Sequence, residues 1–558
     1  MGTKFKKNIW FITGLLLTLS LLWPLFVAPY FSHHDDVQTI RLYEMDKCIK
    51  DGQIPCRWVP DLGGLYGYPI FNYYAPFPYY FGELIYLVSQ SLILSAKFIF
   101  LIPFVGAYVF MFLLGKKLWG NLGGAISGIF YSFAPYHAVV FYVRGAMGEL
   151  WSLMFFPAIF WALLRLKDQQ NLLNVLVTSL LTSLLVLSHN ISTMLFLPMV
   201  LLFILIIFIT QKKLIFLKLS LVSIFFGFLL SAFYWLPMIG EKNLVHVETT
   251  TYGYFSYTEH FKGLRKLFLE RTWGWGASVR EVPGGEKDGM SFQIGWVHIL
   301  GLLLSIAAIP LLWKKSREKS LIIILAISLT AFSIFMVNPR SELIWKLFEP
   351  LKFIQFPWRF LMFIIFFISL ISGSIVFLNT KIKILLSILL IVLVVALNFS
   401  YFRPEKFIQI NDRELLQGQN WDSQIKRSIF DFLPIFAKAP PAELATVRYE
   451  VLNGKAIISD FKEGTNWISF ETNSEQNSVI RLSQYYFPDW KVFIDGKETK
   501  INYDNDLGLI TFNVSPGIHQ IEARLYDTSI RLLANIISAL GIILFILLLA
   551  YPKFMKRK

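Results

Sequence analysis

Apolar residues run through most of this chain in long blocks broken by short basic or Gly/Pro-rich stretches. Blocks long enough to cross a bilayer, about 20 residues, cover roughly 9–30, 98–115, 121–142, 149–165, 171–188, 191–210, 214–236, 292–313, 320–337, 358–378, 383–400 and 528–551, which predicts twelve transmembrane helices. One more apolar run, Phe77 to Leu94, has the length but opens Pro76-Phe77-Pro78-Tyr79-Tyr80 and carries Glu83. Basic residues decide how to read it. If 77–94 does not cross, then Lys4/Lys6/Lys7, Lys116/Lys117, Arg165/Lys167, Lys212/Lys213, Lys314/Lys315/Arg317/Lys319, Lys381/Lys383 and Lys553/Lys556/Arg557/Lys558 all fall on one side, as cytoplasmic flanks do. If it does cross, the N-terminal lysines stand opposite every later cluster. We read 77–94 as a helix in the outer interface, and the protein as a multi-pass plasma-membrane protein with both termini cytoplasmic.

The same parity puts 31–97, 143–148, 237–291, 338–357 and 401–527 outside. The last stretch turns polar and shows period-two patterning: Ile521, Ala523 and Leu525 alternate with Glu522, Arg524 and Tyr526, as on a half-buried strand. Asp495-Gly496 marks a hairpin within 490–501, and Pro516-Gly517 another turn. The expected fold is a polytopic α-helical membrane domain over 1–400 with its first outer loop at 31–97. A small antiparallel, sandwich-like β domain follows over 401–527, then a last span with a basic tail over 528–558.

Composition agrees. Of 558 residues, 55% are hydrophobic and only 16% charged, below the quarter typical of soluble domains, and mean hydropathy is +0.55. The net charge of +15 is spread between apolar runs as a topology signal and not gathered into a nucleic-acid-binding face. The first run lacks a small-residue cleavage site, so it reads as a retained anchor and not a signal peptide. The two cysteines, Cys48 and Cys56, fall just after it, where a disulfide and two free thiols are both open.

No acidic or basic residue lies near the middle of a predicted span, which weakens an ion-coupled transporter. The P-loop, HExxH, paired CxxC and nucleophile-elbow motifs are also missing from the sequence. Candidate chemistry therefore sits at the outer rim. His33-His34-Asp35-Asp36 sets two carboxylates at the membrane surface, suited to a general base, a divalent cation, or simply a solvated loop start. Arg144-Gly145-Ala146-Met147-Gly148-Glu149 is a tight turn whose Glu149 suits a helix start, catalysis or metal binding. Gln355-Phe356-Pro357-Trp358-Arg359, with Arg340 upstream, offers arginine beside aromatics for a lipid phosphate or for interfacial anchoring. Ser188-His189-Asn190 ends the fifth span, where a lone histidine is more often a structural hydrogen-bonder.

The order of these features resembles the GT-C superfamily of polyprenyl-phosphate-dependent glycosyltransferases. More closely, Gly52-x-x-Pro55-x-Arg57-Trp58-x-Pro60-Asp61, Gly67-Tyr68-Pro69-x-Phe71, Arg144-Gly145, Ser188-His189-Asn190 and Gln355-Phe356-Pro357-Trp358-Arg359 resemble the bacterial 6-pyruvoyl-tetrahydropterin-synthase-related membrane proteins. Tyr485-Tyr486-x-Pro488-x-Trp490-Lys491-Val492 with Asp495-Gly496 is similar to the end of YfhO-type proteins. The pterin label does not carry over as chemistry, because the soluble enzyme needs a compact histidine zinc site and the eight histidines here are scattered.

What the GT-C resemblance implies is an inverting transfer of a sugar from a polyprenyl-phosphate-linked donor to an envelope glycan, lipid or protein at the outer face. Asp35 or Asp36 would be the base, and Arg57, Arg144, His189, Arg340 and Arg359 the groups around substrate and lipid phosphate. Glu149 with Asp36 would be the pair for a divalent cation such as Mg or Mn, although one Glu stands in place of an Asp-x-Asp motif. The alternatives on the same scaffold are a lipid or glycan transporter and a catalytically silent glycan-binding scaffold. The bilayer is a partner on every reading, and nucleic acid on none.

Overall fold

The computed structural model describes residues 2–282, 284–378, 381–427 and 431–555. Lys556, Arg557 and Lys558 of the basic tail lie outside them. Each of the twelve predicted segments is helical over most of its length. Among the described residues, eight helices are long and apolar enough to cross a membrane, and the bent pair Leu214–Leu230 and Ala232–Gly240 makes a ninth. Asn8–Ser20 and Leu172–Val186 are shorter apolar helical stretches.

The 41-residue helix Leu92–Ser132 holds two of the predicted spans, because it folds back at Gly120, where φ is +83°. A Cβ at Gly128 would meet Tyr108, and one at Gly124 would meet the backbone of Phe112 and Lys116. The two arms therefore run antiparallel in close contact, as small residues allow between membrane helices. The run at 77–94 breaks differently. Helix Phe77–Ser89 ends at Gln90 in the left-handed region, so the run divides there, and its 13 residues span about 20 Å.

Basic clusters meet at one end of the bundle: Lys117 pairs with Asp168 at 2.6 Å, and Lys167 with Glu318 at 2.8 Å. Burial then sorts the spans. Helix Met147–Asp168 is almost wholly buried and Pro357–Phe377 nearly so, whereas Ser529–Tyr551 is largely exposed. The first two are therefore central helices, and the last faces lipid.

At the opposite end, a two-residue strand β1 (Tyr30–Phe31) pairs with β2 (Phe407–Ile408), stitching the exit of the first helix to the connector that follows the eleventh span. Strands begin in earnest only at Tyr449, later than the predicted 401. Before it, the described residues of 401–448 form the short strand β2, turns and the helices Asp412–Leu415 and Gly418–Arg427. Eight strands follow: β3 (Tyr449–Asn453), β4 (Ala456–Glu463), β5 (Trp467–Ser474), β6 (Ser478–Tyr485), β7 (Trp490–Ile494), β8 (Lys497–Thr499), β9 (Leu509–Val514) and β10 (Gly517–Leu525). They form two antiparallel sheets, β4-β5-β10-β7-β8 and β3-β6-β9. Asp495 and Gly496, both at positive φ, make the β7–β8 turn, and Ile521, Ala523 and Leu525 are buried as their alternation demands.

The β domain is fastened to the loop 31–97 that follows the first helix. Asp51 accepts hydrogen bonds from Thr465 N, Thr465 Oγ1 and Trp467 Nε1 at 2.7–3.0 Å, and Trp58 packs edge-on against Trp490 inside the β core. Cys48 and Cys56 are joined as a disulfide, which closes the alternative of two free thiols.

Candidate functional site

Two central helices deliver the charged residues of the site. Glu149 lies in the first turn of helix Met147–Asp168 and is 1% exposed. Its Oε2 accepts from Arg144 Nη1 at 2.7 Å and from the Tyr136 hydroxyl at 3.0 Å, while Oε1 accepts from Arg359 Nε at 2.8 Å. Two guanidiniums face one carboxylate, so the cluster keeps an excess positive charge in a nearly dry place. Such a charge stands only where its donors are satisfied. Arg359 Nη1 accordingly donates to Ile354 O at 2.7 Å and Gln355 Oε1 at 3.2 Å, and Arg144 lies 4.7 Å from the Trp358 ring centre.

The local backbone is shaped to make these contacts. Val139–Arg144 is a single wide π-helical turn, a form that recurs at functional sites, and Gly145 ends it at φ +61°. A Cβ there would come 2.5 Å from His33 Cγ, so glycine lets the first outer loop lie on the turn. Gln355 also sits at positive φ, +65°, a strained setting for a residue with a Cβ, and this presents its side chain to Arg359.

The acidic segment is held against the same turn by main chain. His34 N donates to Val143 O at 3.0 Å and Asp35 N to Arg144 O at 2.9 Å. Gln38 Nε2 bridges the two segments, donating to Asp35 O at 3.1 Å and Gly145 O at 2.9 Å, and Gln38 Oε1 accepts from the Tyr79 hydroxyl at 2.6 Å.

Within this segment the two carboxylates part company. Asp36 Oδ1 accepts from the Tyr30 hydroxyl at 2.9 Å and Oδ2 lies 3.5 Å from Arg427 Nη1. Asp35 is exposed and contributes to the field on Arg144. Burial works against the Arg144 charge, but Glu149 most of all, and Asp35 in addition, hold its pKa above the ordinary value.

His189 caps helix Asn190–Gln211, its Nδ1 accepting from Ser192 N at 3.2 Å. It stands beside the cluster, since a Cβ on Gly148 would meet its ring at 2.8 Å. Burial first, with Arg359 and Arg144 adding to it against Glu149, pushes its pKa down to about 3, so the ring is a neutral cap.

Arg57 is not brought to this cluster. It donates to Asn72 Oδ1 at 3.0 Å, Phe233 O at 3.0 Å and Asn535 Oδ1 at 2.7 Å. That second polar joint also holds Glu241, which accepts from Arg531 at 2.9 Å, Asn72 at 3.0 Å and Thr528 at 2.6 Å. Arg340 is exposed in the turn Pro339–Ser341. Glu149 and Asp36 do not fit the pairing expected around a cation, because the oxygens of one are taken by Arg144, Arg359 and Tyr136 and those of the other face Tyr30 and Arg427. Among the described residues no group of three or more His, Cys, Asp or Glu side chains is placed to hold a metal.

Sequence reading missed Gln38, Tyr136 and Tyr30. Nothing local marks them, since their partners lie on other segments or several residues away.

A family model described as "6-pyruvoyl-tetrahydropterin synthase related domain; membrane protein" matches residues 71–403, a stretch that takes in Arg144, Glu149, His189 and Arg359. An uncharacterized protein of Lactococcus lactis subsp. cremoris (strain MG1363) is 26% identical over 250 residues, 42% of this chain and 40% of that one. The crystal structure of the Archaeoglobus fulgidus oligosaccharyltransferase tethered with an acceptor peptide containing the NVT sequon is similar at TM-score 0.43 and 12% identity, over 76% of this chain and 56% of that one. The structure of that protein in complex with Zn and sulfate is similar at TM-score 0.39 and 12% identity, over 70% and 52%. The chain thus spans 40% to 56% of the length of these relatives.

Proposed function

The chain belongs to the 6-pyruvoyl-tetrahydropterin synthase related family of membrane proteins, and on that premise we propose that it is an inverting glycosyltransferase working at the outer rim of the plasma membrane. Its donor is a sugar carried on a polyprenyl phosphate, and its acceptor an envelope glycan, lipid or protein. The lysine-rich end of the bundle, with both termini, faces the cytoplasm.

The observation that supports this reading best is the backbone stitching of His34 and Asp35 to Val143 and Arg144. It sets an exposed carboxylate beside a buried, net-positive arginine pair. In the reaction an acceptor hydroxyl attacks the anomeric carbon, the bond from that carbon to the phosphate oxygen breaks, and the polyprenyl phosphate leaves with the electron pair. Asp35 takes the hydroxyl proton. Arg144 and Arg359 favour the negative charge that grows on the departing phosphate. A phosphate leaves without protonation, so one base is enough. Asp36 supports the segment through Tyr30, and no step requires a metal held by Glu149.

The test is complementation of cells lacking the protein, with envelope glycans read by mass spectrometry. Asp35→Asn is expected to lower transfer by about 10²- to 10⁴-fold, the usual worth of a general base, with normal amounts of folded protein in the membrane. Asp36→Asn retains more activity. Full activity in both single variants and in the double variant would remove the reading.

A further inference from the structure

The outer segment 237–291 holds an open cavity of about 580 Å³, within the size range of small-ligand sites. Its lining comes from residues 252–260 and 278–280 alone, so it opens among the outer loops and not between spans. Two exposed rings, Tyr252 (61% exposed) and Tyr254 (51%), stand at its wall. Glu259 and Arg280, paired at 3.6 Å with the Arg280 side chain 64% exposed, supply an acceptor and a forked donor. Beneath them the floor is fixed. Buried His260 bonds Ser278 Oγ through Nδ1 at 3.0 Å and meets Tyr254 O through Nε2 at 2.5 Å. A preformed floor lowers the cost of ordering a ligand.

The cavity shares a wall with the arginine cluster. Trp358 Nε1 donates to the same Ser278 Oγ at 3.1 Å, while Arg144 lies 4.7 Å from the Trp358 ring centre. Phe356, stacked on Trp358 at 4.8 Å, takes the ring edges of Tyr254 at 6.1 Å and His260 at 4.6 Å. A ligand in the cavity is thus one indole away from the groups assigned to the leaving phosphate.

We propose that this cavity is a saccharide subsite that seats the acceptor, which makes the acceptor a glycan and not a bare lipid or protein. The inference rests on the transferase reading for its role, and on the cavity for its chemistry. Exposed aromatic faces stack on the C–H faces of sugar rings, and a carboxylate beside a guanidinium bonds vicinal hydroxyls.

The test uses the full chain in lipid nanodiscs, titrated with soluble disaccharides of hexose, hexosamine, deoxyhexose and uronic-acid type and read by saturation-transfer NMR. At least one disaccharide is expected to bind, at least tenfold more weakly to Tyr252→Ala and to Arg280→Ala. Both side chains are exposed, so the unfolding midpoints of these variants should match the parent. Farnesyl phosphate is expected to leave the bound saccharide in place. The proposal is overturned if no disaccharide binds the parent protein, if both variants bind as the parent does, or if farnesyl phosphate displaces the sugar and so marks the cavity as the donor's. Sugar binding with no transfer from any lipid-linked donor would remove the transferase reading and leave the subsite. Transfer with unchanged KM in both variants would do the reverse.

Discussion

Glu149 shows how one side chain holds a site together at a cost that fixes its experimental use. Both of its oxygens are committed to cations within 3 Å, so removing the charge leaves two guanidiniums buried and unpaired. Glu149→Gln is expected to destabilise the protein by about 3–5 kcal/mol, seen as a large fall in the thermal midpoint. A midpoint within a degree or two of the parent would mean that the arginines find other partners. Asp35, being exposed, is the residue at which loss of function can be separated from loss of fold.

Glu83 provides a pH signal of a different kind. Burial first, then Asp46, pushes its pKa up to about 7, with Lys50 opposing them. In the unfolded chain its carboxyl ionises near 4.5. The folded form therefore keeps a proton that the unfolded form has lost, and stability falls as pH rises from about 4.5 to about 7, then levels off. The size is roughly 3 kcal/mol at most. Unfolding midpoints of Glu83→Gln across that window should lose most of the slope, and an unchanged slope would place the titration on other groups.

At the scale of elements, the site depends on turns more than on spans. Gly145 stands where the π-helical turn ends and the acidic segment crosses. Gly145→Ala forces a side chain into the left-handed region, at about 1–2 kcal/mol, and drives its Cβ into His33. The expected result is a modest fall in stability with a disproportionate fall in kcat, because the segment carrying Asp35 is displaced from Arg144. Equal losses in both would argue that the turn serves the fold alone. The Phe77–Ser89 helix, read from basic-residue parity as interfacial, is in the structure a 13-residue element packed on its neighbours. Its partner Gln38, reached through Tyr79, is one of the ties that keep loop and turn in register.

For the whole molecule, the end of the bundle opposite the lysine clusters is a single assembly. The first outer loop carries Asp35, grips β5 through Asp51, and reaches the last span through Arg57 and Asn535. Its side of the membrane can be checked directly, because both natural cysteines are joined and Ser89→Cys adds one free thiol. An impermeant maleimide is expected to label it from outside intact cells. Labelling only in inverted vesicles would overturn the interface-helix assignment and with it the common face of the site.

Sequence alone determined the membrane class, the positions of the helical segments, the hairpin at Asp495-Gly496 and the alternation in β10. Each of these is a local pattern of apolar period, charge flank or turn chemistry, and such patterns survive in one dimension. It also picked out the segments 33–36, 144–149, 188–190 and 355–359, because polar residues beside apolar runs are conspicuous. Only the tertiary structure decided how they are used. It drew Arg144 and Arg359, 215 positions apart, onto one carboxylate, and sent Arg57 to a different joint. It engaged Glu149 and Asp36 with partners of their own, and left Asp35 the exposed acid. The physical reason is that a buried charge takes whichever opposite charge the packing of helices brings within 3 Å, and that choice is written in the fold and not in spacing along the chain.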